Sequence, residues 1–179
     1  MRIISGTIKG KKLFTPKTDN IRPTTDRTRE AIFSILYSKL SNGFNSLRVL
    51  DIFSGSGAFG LEALSRGAEN VCFLDIDLTL TQKNAKLCGF TNISYQKTDA
   101  RRLKPATNAY DIIFMDAPYN QGLTLPVLEN LYQKNYLKET TIIIVELEKE
   151  EHIDLPQTYT QIDERVYGIS KILFLTKGS

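Results

Sequence analysis

The feature that most constrains the fold is a regular alternation of apolar runs with helical stretches, which begins near Leu47. Short apolar runs typical of buried strands occur at residues 48–53, 70–75, 93–96, 111–115 and 141–146. Helical stretches separate them at residues 57–66, 77–88 and 121–135. Runs that are apolar along their whole length are typical of a parallel sheet covered on both faces, and their alternation with helices predicts an α/β doubly wound sheet.

The C-terminal part of the chain departs from this alternation. Residues 159–168 and 170–177 read as two strands with no helix between them, so we expect an antiparallel pair that closes the sheet. No second apolar pattern or internal repeat interrupts the chain. We therefore predict a single domain over residues 1–179, with an N-terminal extension over 1–46 and a cofactor-binding and catalytic core over 47–179.

The N-terminal extension is strongly basic. The first 48 residues carry ten Lys or Arg against three acids, a net charge of +7, whereas the remaining residues carry 13 bases against 17 acids. Residues 2–15 alternate weakly and predict a short hairpin or extended arm. A helix should follow, with Thr24 or Thr25 as its N-cap and Asn42-Gly43 at its end. A basic arm on a mildly acidic core favours binding to a phosphate backbone.

Composition bears on the cellular compartment of the protein and on whether it binds a membrane or a metal. No apolar run approaches the roughly 20 residues that a membrane span needs, and the N-terminus has no signal-peptide core. Cys72 and Cys88 are too few for a disulfide framework, and no Cys/His grouping has metal-ligand spacing. We therefore expect a cytoplasmic protein without a membrane partner and without a metal.

A glycine-rich segment follows the first strand of the core. Gly55, Gly57 and Gly60 lie in DIFSGSGAFG and lead into a helix, so the backbone can turn sharply and approach a ligand closely. Asp75 follows 20 residues after Gly55, where an acid that binds a ribose is expected. The spacing indicates a nucleoside-bearing cofactor and by itself leaves open which one.

The acids around this segment favour S-adenosylmethionine over NAD. Asp51, at the strand end, would repel a pyrophosphate but suits a cationic amino group. Asp75 can accept hydrogen bonds from ribose hydroxyls, and Asp99 lies where an adenine amino group could be met. Asp77 can either bind the cofactor or cap the next helix. The predicted cofactor site comprises Asp51, Phe53, Gly55, Gly57, Asp75, Ile76, Asp99 and Ala100.

The segment after the fourth strand indicates the reaction. Ligands bind at the carboxyl ends of strands in this architecture, and here the strand ends in Asp116, Ala117, Pro118 and Tyr119. The Asp116 carboxylate and the Ala117 carbonyl can each accept an N–H from an exocyclic amine, while Tyr119 can stack on a planar base. We therefore predict methylation of the amino group of a nucleic-acid base. Glu146, at the end of the fifth strand, is interpreted as a structural hydrogen-bond acceptor.

Four segments resemble the RsmD family: MRIISGTIKGKKL, RPTTDRTREAIFSIL, LDIFSGSGAFGLEALSRGA and DAPY. The resemblance covers essentially the whole chain. It implies a Rossmann-like, seven-stranded class I methyltransferase sheet, S-adenosylmethionine as methyl donor, and the exocyclic N2 of a guanine in 16S ribosomal RNA as target. Asp51, Gly55, Gly57, Asp75 and Asp99 match its cofactor positions, and Asp116, Pro118 and Tyr119 its base-binding motif. The family usually has a proline where this chain has Ala117, which keeps the carbonyl but frees φ.

The resemblance also indicates RNA-binding residues in the basic extension. Arginine forks suit phosphate oxygens. The predicted RNA-binding residues are Lys9, Lys11, Lys12, Arg22, Thr24, Arg27 and Arg29. The implied partner is 16S ribosomal RNA, free or in a small-subunit assembly particle, and we expect a monomer.

Three alternatives remain open from the residues. A nicotinamide-dependent oxidoreductase could use the same glycine-rich loop. A DNA adenine-N6 methyltransferase would share the strand-end pattern of an acid, a proline and an aromatic ring. A non-catalytic RNA-binding assembly factor could keep the cofactor pocket without turnover.

Overall fold

The structure is a computed structural model that describes residues 1–16 and 25–178. Within these residues seven strands form one sheet: β1 (Arg48–Ile52), β2 (Asn70–Asp75), β3 (Ile93–Lys97), β4 (Tyr110–Asp116), β5 (Leu137–Glu148), β6 (Tyr159–Tyr167) and β7 (Ser170–Lys177). The helices are α1 (Asp26–Lys39), α2 (Ala58–Ser65), α3 (Thr79–Cys88), α4 (Thr124–Gln133) and a 3-10 turn, η1 (Ala100–Arg102). Each strand and helix predicted for the core is confirmed, with boundaries that move by a few residues.

The sheet has the strand order β3-β2-β1-β4-β5-β7-β6. Strands β1 to β5 are parallel to one another, and β7 lies antiparallel between β5 and β6. The doubly wound α/β sheet and its antiparallel closing pair are therefore confirmed. Because β7 is antiparallel to β5, the tight turn between β6 and β7 lies at the carboxyl edge of the parallel strands.

The two faces of the sheet carry separate hydrophobic cores. Alternate side chains of β1, such as Val49 and Leu50, point to opposite faces. The N-terminal arm, α1, α2 and α3 cover one face, whereas η1 and α4 cover the other. Stacked rings on the first face, with centroids 4.8 Å apart for Phe33 and Phe59 and 4.1 Å for Phe59 and Phe114, fix α1 over α2 and β4.

The N-terminal arm folds back on itself and docks against α2. An isolated antiparallel bridge joins Arg2 to Lys12, so the expected hairpin is present in a minimal form. The buried Glu62 carboxylate accepts the backbone N–H groups of Ile4 (2.7 Å) and Ser5 (3.0 Å) and the Arg66 Nε–H (2.7 Å). These bonds explain why every residue of α2 is buried, because the arm covers the side of the helix that the sheet leaves open.

Helix α1 begins after Thr25, whose side-chain oxygen accepts the Thr28 N–H at 3.1 Å. It ends at Lys39, earlier than predicted, and Asn42-Gly43 belongs to the following turn, where Gly43 has a φ of 60°. The other predicted cap, Thr24, lies outside the described residues. No helix in residues 1–16 and 25–178 combines the length and the apolar character needed to cross a membrane.

Candidate active site

The glycine-rich loop and the DAPY turn lie at the same edge of the sheet. Strand β1 pairs in parallel with both β2 and β4, and Ile52 at its end is in register with Leu74 and Met115. Neighbouring strands are about 4.8 Å apart. The segments that follow β1, β2 and β4 therefore begin side by side, which places the predicted cofactor residues next to the predicted base-binding residues.

The glycine-rich loop has a backbone that suits close contact with a ligand. Gly55 and Gly57 have φ values of 50° and 75°, in the left-handed region that favours glycine. Gly57 is also the N-cap of α2, and a Cβ there would lie 3.0 Å from Thr81 Cγ2. Thr81 in turn donates to the Gly55 carbonyl at 2.8 Å, which holds the loop against α3. Phe53 has a positive φ of 59° although it is not a glycine, as is common at functional loops.

Asp75 links the second strand to this loop. Its carboxylate accepts the Gly55 N–H at 3.0 Å and the Asp77 N–H at 3.1 Å. Ile76, the next residue, is 70% exposed, so an apolar surface lies beside the acid. Asp77 accepts from the Thr79 N–H and hydroxyl at the start of α3, although the N-cap residue of that helix is Leu78. An acid beside an exposed apolar side chain suits a ribose followed by a flat base.

Asp99 follows β3 at the same edge, since β3 pairs in parallel with β2. Its carboxylate accepts from the Arg101 backbone N–H at 2.9 Å and from the Arg101 guanidinium. These hydrogen bonds lower the pKa of Asp99 to about 2, so the group is ionised at neutral pH. Ala100, which starts η1, is buried. The predicted cofactor residues are thus brought together along the ends of β1, β2 and β3.

Asp51 differs from the other acids of the site because it is buried. Its Oδ2 accepts the Gly60 N–H at 2.9 Å, which ties the end of β1 to the first turn of α2. Burial raises the pKa of Asp51 to about 8, although the Gly60 hydrogen bond opposes that shift. In this structure the carboxyl group fixes the shape of the glycine-rich loop. A direct contact with a cationic group of the cofactor stays a prediction.

The raised pKa of Asp51 leads to a pH-dependent stability. An acid whose pKa is higher in the folded than in the unfolded chain stabilises the fold fully below the unfolded value, and this contribution is lost as pH rises through the folded value. We expect the wild-type free energy of unfolding to fall relative to that of Asp51→Asn between about pH 4 and pH 8. The slope is at most about 1.4 kcal/mol per pH unit. Asparagine keeps an oxygen that can accept the Gly60 N–H.

Urea unfolding of both proteins at pH 5, 6.5 and 8 measures this difference. The same substitution at Asp154, an exposed aspartate in the segment before β6, is the matched control and should leave the pH dependence unchanged. A constant difference between wild type and Asp51→Asn across the three pH values would contradict the assignment.

The DAPY turn starts at Asp116, the last residue of β4. Ala117 is buried and Pro118 is exposed. The Tyr119 hydroxyl donates to Glu146 Oε1 at 3.3 Å and lies 3.1 Å from Ser170 Oγ. Burial raises the pKa of Tyr119 to about 12, so its hydroxyl stays protonated.

A cavity of about 310 Å³ adjoins the DAPY turn. We call it the hairpin pocket, because residues 166–170, which comprise the β6–β7 turn and the strand residues that flank it, form one wall. The start of α1 forms a second wall, and Tyr119 and Glu146 complete the lining. Its volume is at the lower end of the range of about 300–1,000 Å³ found for small-ligand sites. The pocket therefore has room for one flat ring system beside Tyr119 and Glu146.

The structure separates the predicted RNA-binding residues. Arg27 is exposed and lines the hairpin pocket. Lys9, Lys11 and Lys12 are exposed on the N-terminal arm. The tip of that arm docks beside Ser65 at the far end of α2, where Ser65 O accepts the Thr7 N–H at 2.8 Å. Eight helical residues, roughly 12 Å, thus separate the tip from the glycine-rich loop.

The prediction that Arg29 binds RNA phosphates is wrong. Its side chain is 1% exposed, and its guanidinium donates to Asp26 Oδ1 at 3.0 Å and to the carbonyl of Arg2. Arg29 therefore fastens the N-terminal arm to α1 instead of reaching solvent. Arg22 and Thr24 were also predicted to bind RNA, and both lie outside the described residues.

Sequence reasoning missed the polar contacts that support the two loops. Asn84, buried in α3, exchanges two hydrogen bonds with the backbone of Phe14 and donates to the carbonyl of Ser56 at 2.8 Å. Ser170, in the β6–β7 turn, donates to Glu146 Oε1 at 2.8 Å. Nothing in the local sequence marks either residue, because each acts on a segment distant along the chain.

Comparison with known proteins agrees with this architecture. The model of the family described as conserved hypothetical protein 95 matches residues 1–176. Ribosomal RNA small subunit methyltransferase D of Buchnera aphidicola subsp. Acyrthosiphon pisum is 38% identical over 170 residues, which cover 92% of this chain and 86% of that protein. The protein of the same name from Escherichia coli K12 is 33% identical, over 94% of this chain and 85% of that protein.

A solved structure gives the same result. The protein described as putative methyltransferase yhhF from Escherichia coli is 31% identical, with a TM-score of 0.84 over 100% of this chain and 98% of that one. The resemblance to the RsmD family is therefore confirmed, and the chain belongs to the family described as conserved hypothetical protein 95.

Proposed function

We propose that this methyltransferase uses S-adenosylmethionine to methylate the exocyclic N2 of a guanine in 16S ribosomal RNA. The observation that carries the proposal is the parallel pairing of β1 with β4, which brings the glycine-rich loop and the DAPY turn to one edge of the sheet. The named relatives act, by their names, on the RNA of the small ribosomal subunit. The guanine N2 as target rests on the DAPY chemistry and the family resemblance.

The residues present fit the proposed cofactor. The left-handed glycines leave the loop backbone open to a ligand, and Asp75 and Ile76 offer a polar and an apolar surface side by side. When bound, S-adenosylmethionine supplies an electrophilic methyl group on sulfur. In the proposal Asp75 holds the ribose hydroxyls, Ile76 packs on the adenine, and Asp99 accepts from its amino group.

The DAPY residues would then orient the amine. Guanine N2 is a weak nucleophile because its lone pair is delocalised into the ring. Two acceptors, the Asp116 carboxylate and the Ala117 carbonyl, can hold its protons so that the lone pair faces the methyl carbon. The nitrogen would be the nucleophile, and the methyl group that S-adenosylmethionine supplies would replace one of its protons. The proton released from nitrogen passes to the Asp116 carboxylate.

The basic surface would hold the RNA around this site. Arg27, an exposed residue that lines the hairpin pocket, would neutralise a phosphate near the target, and the lysines of the arm would contact more distant phosphates. A base in paired RNA must be extruded from its stack to enter the pocket. We propose that the enzyme acts as a monomer in the cytoplasm on a small-subunit assembly particle.

A methyl-incorporation assay tests the proposal. Small subunits from a strain that lacks this enzyme, and naked RNA extracted from them, are incubated with the purified protein and S-adenosylmethionine labelled in the methyl group. We expect label in one guanosine of 16S RNA, identified as N2-methylguanosine by nuclease mapping and mass spectrometry. Label in both samples would remove the need for an assembled particle. No label in either, or label on adenine, would contradict the proposal.

A thermal-shift titration separates the cofactor alternatives. We expect S-adenosylmethionine to raise the melting temperature and NAD to leave it unchanged at the same concentration, since a ligand stabilises the state that it binds. A larger shift with NAD would favour the oxidoreductase. Stabilisation by S-adenosylmethionine without any label transfer would favour a non-catalytic assembly factor.

A further inference from the structure

The hairpin pocket is lined by the carboxylate of Glu146, which lies on the strand next to Asp116. Glu146 is in register with Asp116 across β4 and β5, so the two acids end neighbouring parallel strands about 4.8 Å apart. Glu146 is 3% exposed, and it lines the pocket. Burying a carboxylate costs free energy unless hydrogen bonds replace those that it made to water. The buried position of Glu146 at the pocket therefore needs an explanation other than contact with solvent.

Two hydroxyl groups fix this carboxylate. Ser170 Oγ donates to Glu146 Oε1 at 2.8 Å, and the Tyr119 hydroxyl donates to the same oxygen at 3.3 Å. Both donors stand on other walls of the pocket, the β6–β7 turn and the DAPY turn. The Glu146 carboxylate, the Tyr119 hydroxyl and Ser170 are therefore connected by hydrogen bonds. A carboxylate has about four lone-pair positions, so further donors can be accepted at the same group.

Guanine presents a matching pair of donors. Its Watson–Crick edge carries the N1–H beside the N2 amine, whereas adenine has an unprotonated nitrogen at position 1. Flipped bases are recognised through hydrogen bonds to this edge. With one N2 proton on Asp116, the neighbouring N1–H faces the next acceptor along the edge of the sheet, which is Glu146. An adenine in the same place would turn a lone pair towards the buried carboxylate.

We propose that Glu146 accepts the N1–H of the target guanine and so selects guanine against bases that lack this proton. The inference deepens the proposed function and rests on it. Glu146 is a specificity-determining residue in this account, Asp116 holds the reacting amine, and Ser170 is a positioning residue that keeps the carboxylate and the Tyr119 ring in place.

Target-base replacement tests the inference. The mapped guanosine is replaced by 2-aminopurine riboside in 16S RNA assembled from ligated segments. This analogue keeps the reactive 2-amine but has a bare nitrogen at position 1. We expect wild-type kcat/KM for the analogue to be lower by roughly 10- to 100-fold, because a site built to pair with a donor is left with unmatched polar groups. Equal use of the two RNAs by the wild type would overturn the inference without any variant.

Glu146→Gln tests the same base preference by changing the protein instead of the RNA. The glutamine amide can donate to a bare ring nitrogen, so we expect the preference for guanine over 2-aminopurine to fall at least about 10-fold, while affinity for S-adenosylmethionine stays unchanged. Glu148→Gln is the matched control, since Glu148 is in the same strand and its carboxylate accepts from Asn120 at 2.8 Å; it should keep the wild-type preference. An unchanged preference in a folded Glu146→Gln would overturn the inference.

The outcomes also separate the inference from the proposed function. If the wild type methylates no guanosine in unmodified 16S RNA, the function itself fails and the role of Glu146 falls with it. If guanosine is methylated but 2-aminopurine is equally good, the function stands and only the role of Glu146 is overturned.

Discussion

Asp116→Ala is expected to reduce methyl transfer by at least about 100-fold, the size of effect seen when one preorganised hydrogen-bonding group is removed from a reacting centre. Asp116 ends β4 at the edge where the glycine-rich loop also begins. In the proposed reaction, its loss removes the acceptor that aligns the amine and takes its proton. The cofactor residues follow other strands, so affinity for S-adenosylmethionine should change by less than about threefold.

Single-turnover methyl transfer and calorimetric titration measure the two quantities separately. Asp116→Asn tests the charge, because it keeps an acceptor oxygen but cannot take a proton; we expect it to lie between wild type and alanine. Asp154→Ala, an exposed aspartate outside the site, should retain wild-type turnover. Near-normal turnover in Asp116→Ala would remove Asp116 from the reaction.

Glu62→Ala is expected to lower the free energy of unfolding by about 3–5 kcal/mol, the usual cost of removing one partner of a buried ion pair. The Glu62 side chain is fully buried and accepts from two backbone N–H groups of the arm and from Arg66. Alanine would leave those donors without an acceptor. Such a loss is a large part of the 5–15 kcal/mol that stabilises a typical domain.

Urea unfolding gives the free energy, and limited proteolysis within residues 1–16 reports whether the arm detaches first. Glu69→Ala, at an exposed glutamate shortly after α2, should change stability by no more than about 0.5 kcal/mol. A loss below about 1 kcal/mol for Glu62→Ala would show that the arm does not depend on this carboxylate.

The core could be predicted from sequence because local patterns determine it. The strands β1, β2 and β4 can be predicted from their apolar residue types alone, and the glycines before α2 show where the chain turns. The relation between Asp51, Gly55 and Asp75 also follows, since consecutive parallel strands end at one edge. The pairing of β1 with β4, which unites the two halves of the site, comes from sheet order and not from local pattern.

The prediction for Arg29 is wrong because the position of this residue in α1, and not its charge, determines where its side chain lies. Arg29 precedes Ile32, Phe33 and Leu36 by three, four and seven residues, the spacing that places side chains on one face of a helix. That face is the buried one in α1. The helical period therefore contained the signal that Arg29 points inward.

The docking of the arm was not predictable in the same way. Helix α2 is apolar on all sides except at Glu62 and Ser65, which indicates that something covers it. The covering segment lies more than 50 residues earlier in the chain. Local patterns carry no information on which segment supplies the cover, and the same limit applies to the contact of Ser170 with Glu146.

The antiparallel placement of β7 has a consequence for how substrate range can change in this family. Gly168 and Ile169, the two residues between β6 and β7, line the hairpin pocket. Insertions or exchanges at Gly168 and Ile169 can widen or narrow that side while the register of every parallel strand is kept. This wall of the hairpin pocket can therefore vary in size while the glycine-rich loop after β1 keeps its structure.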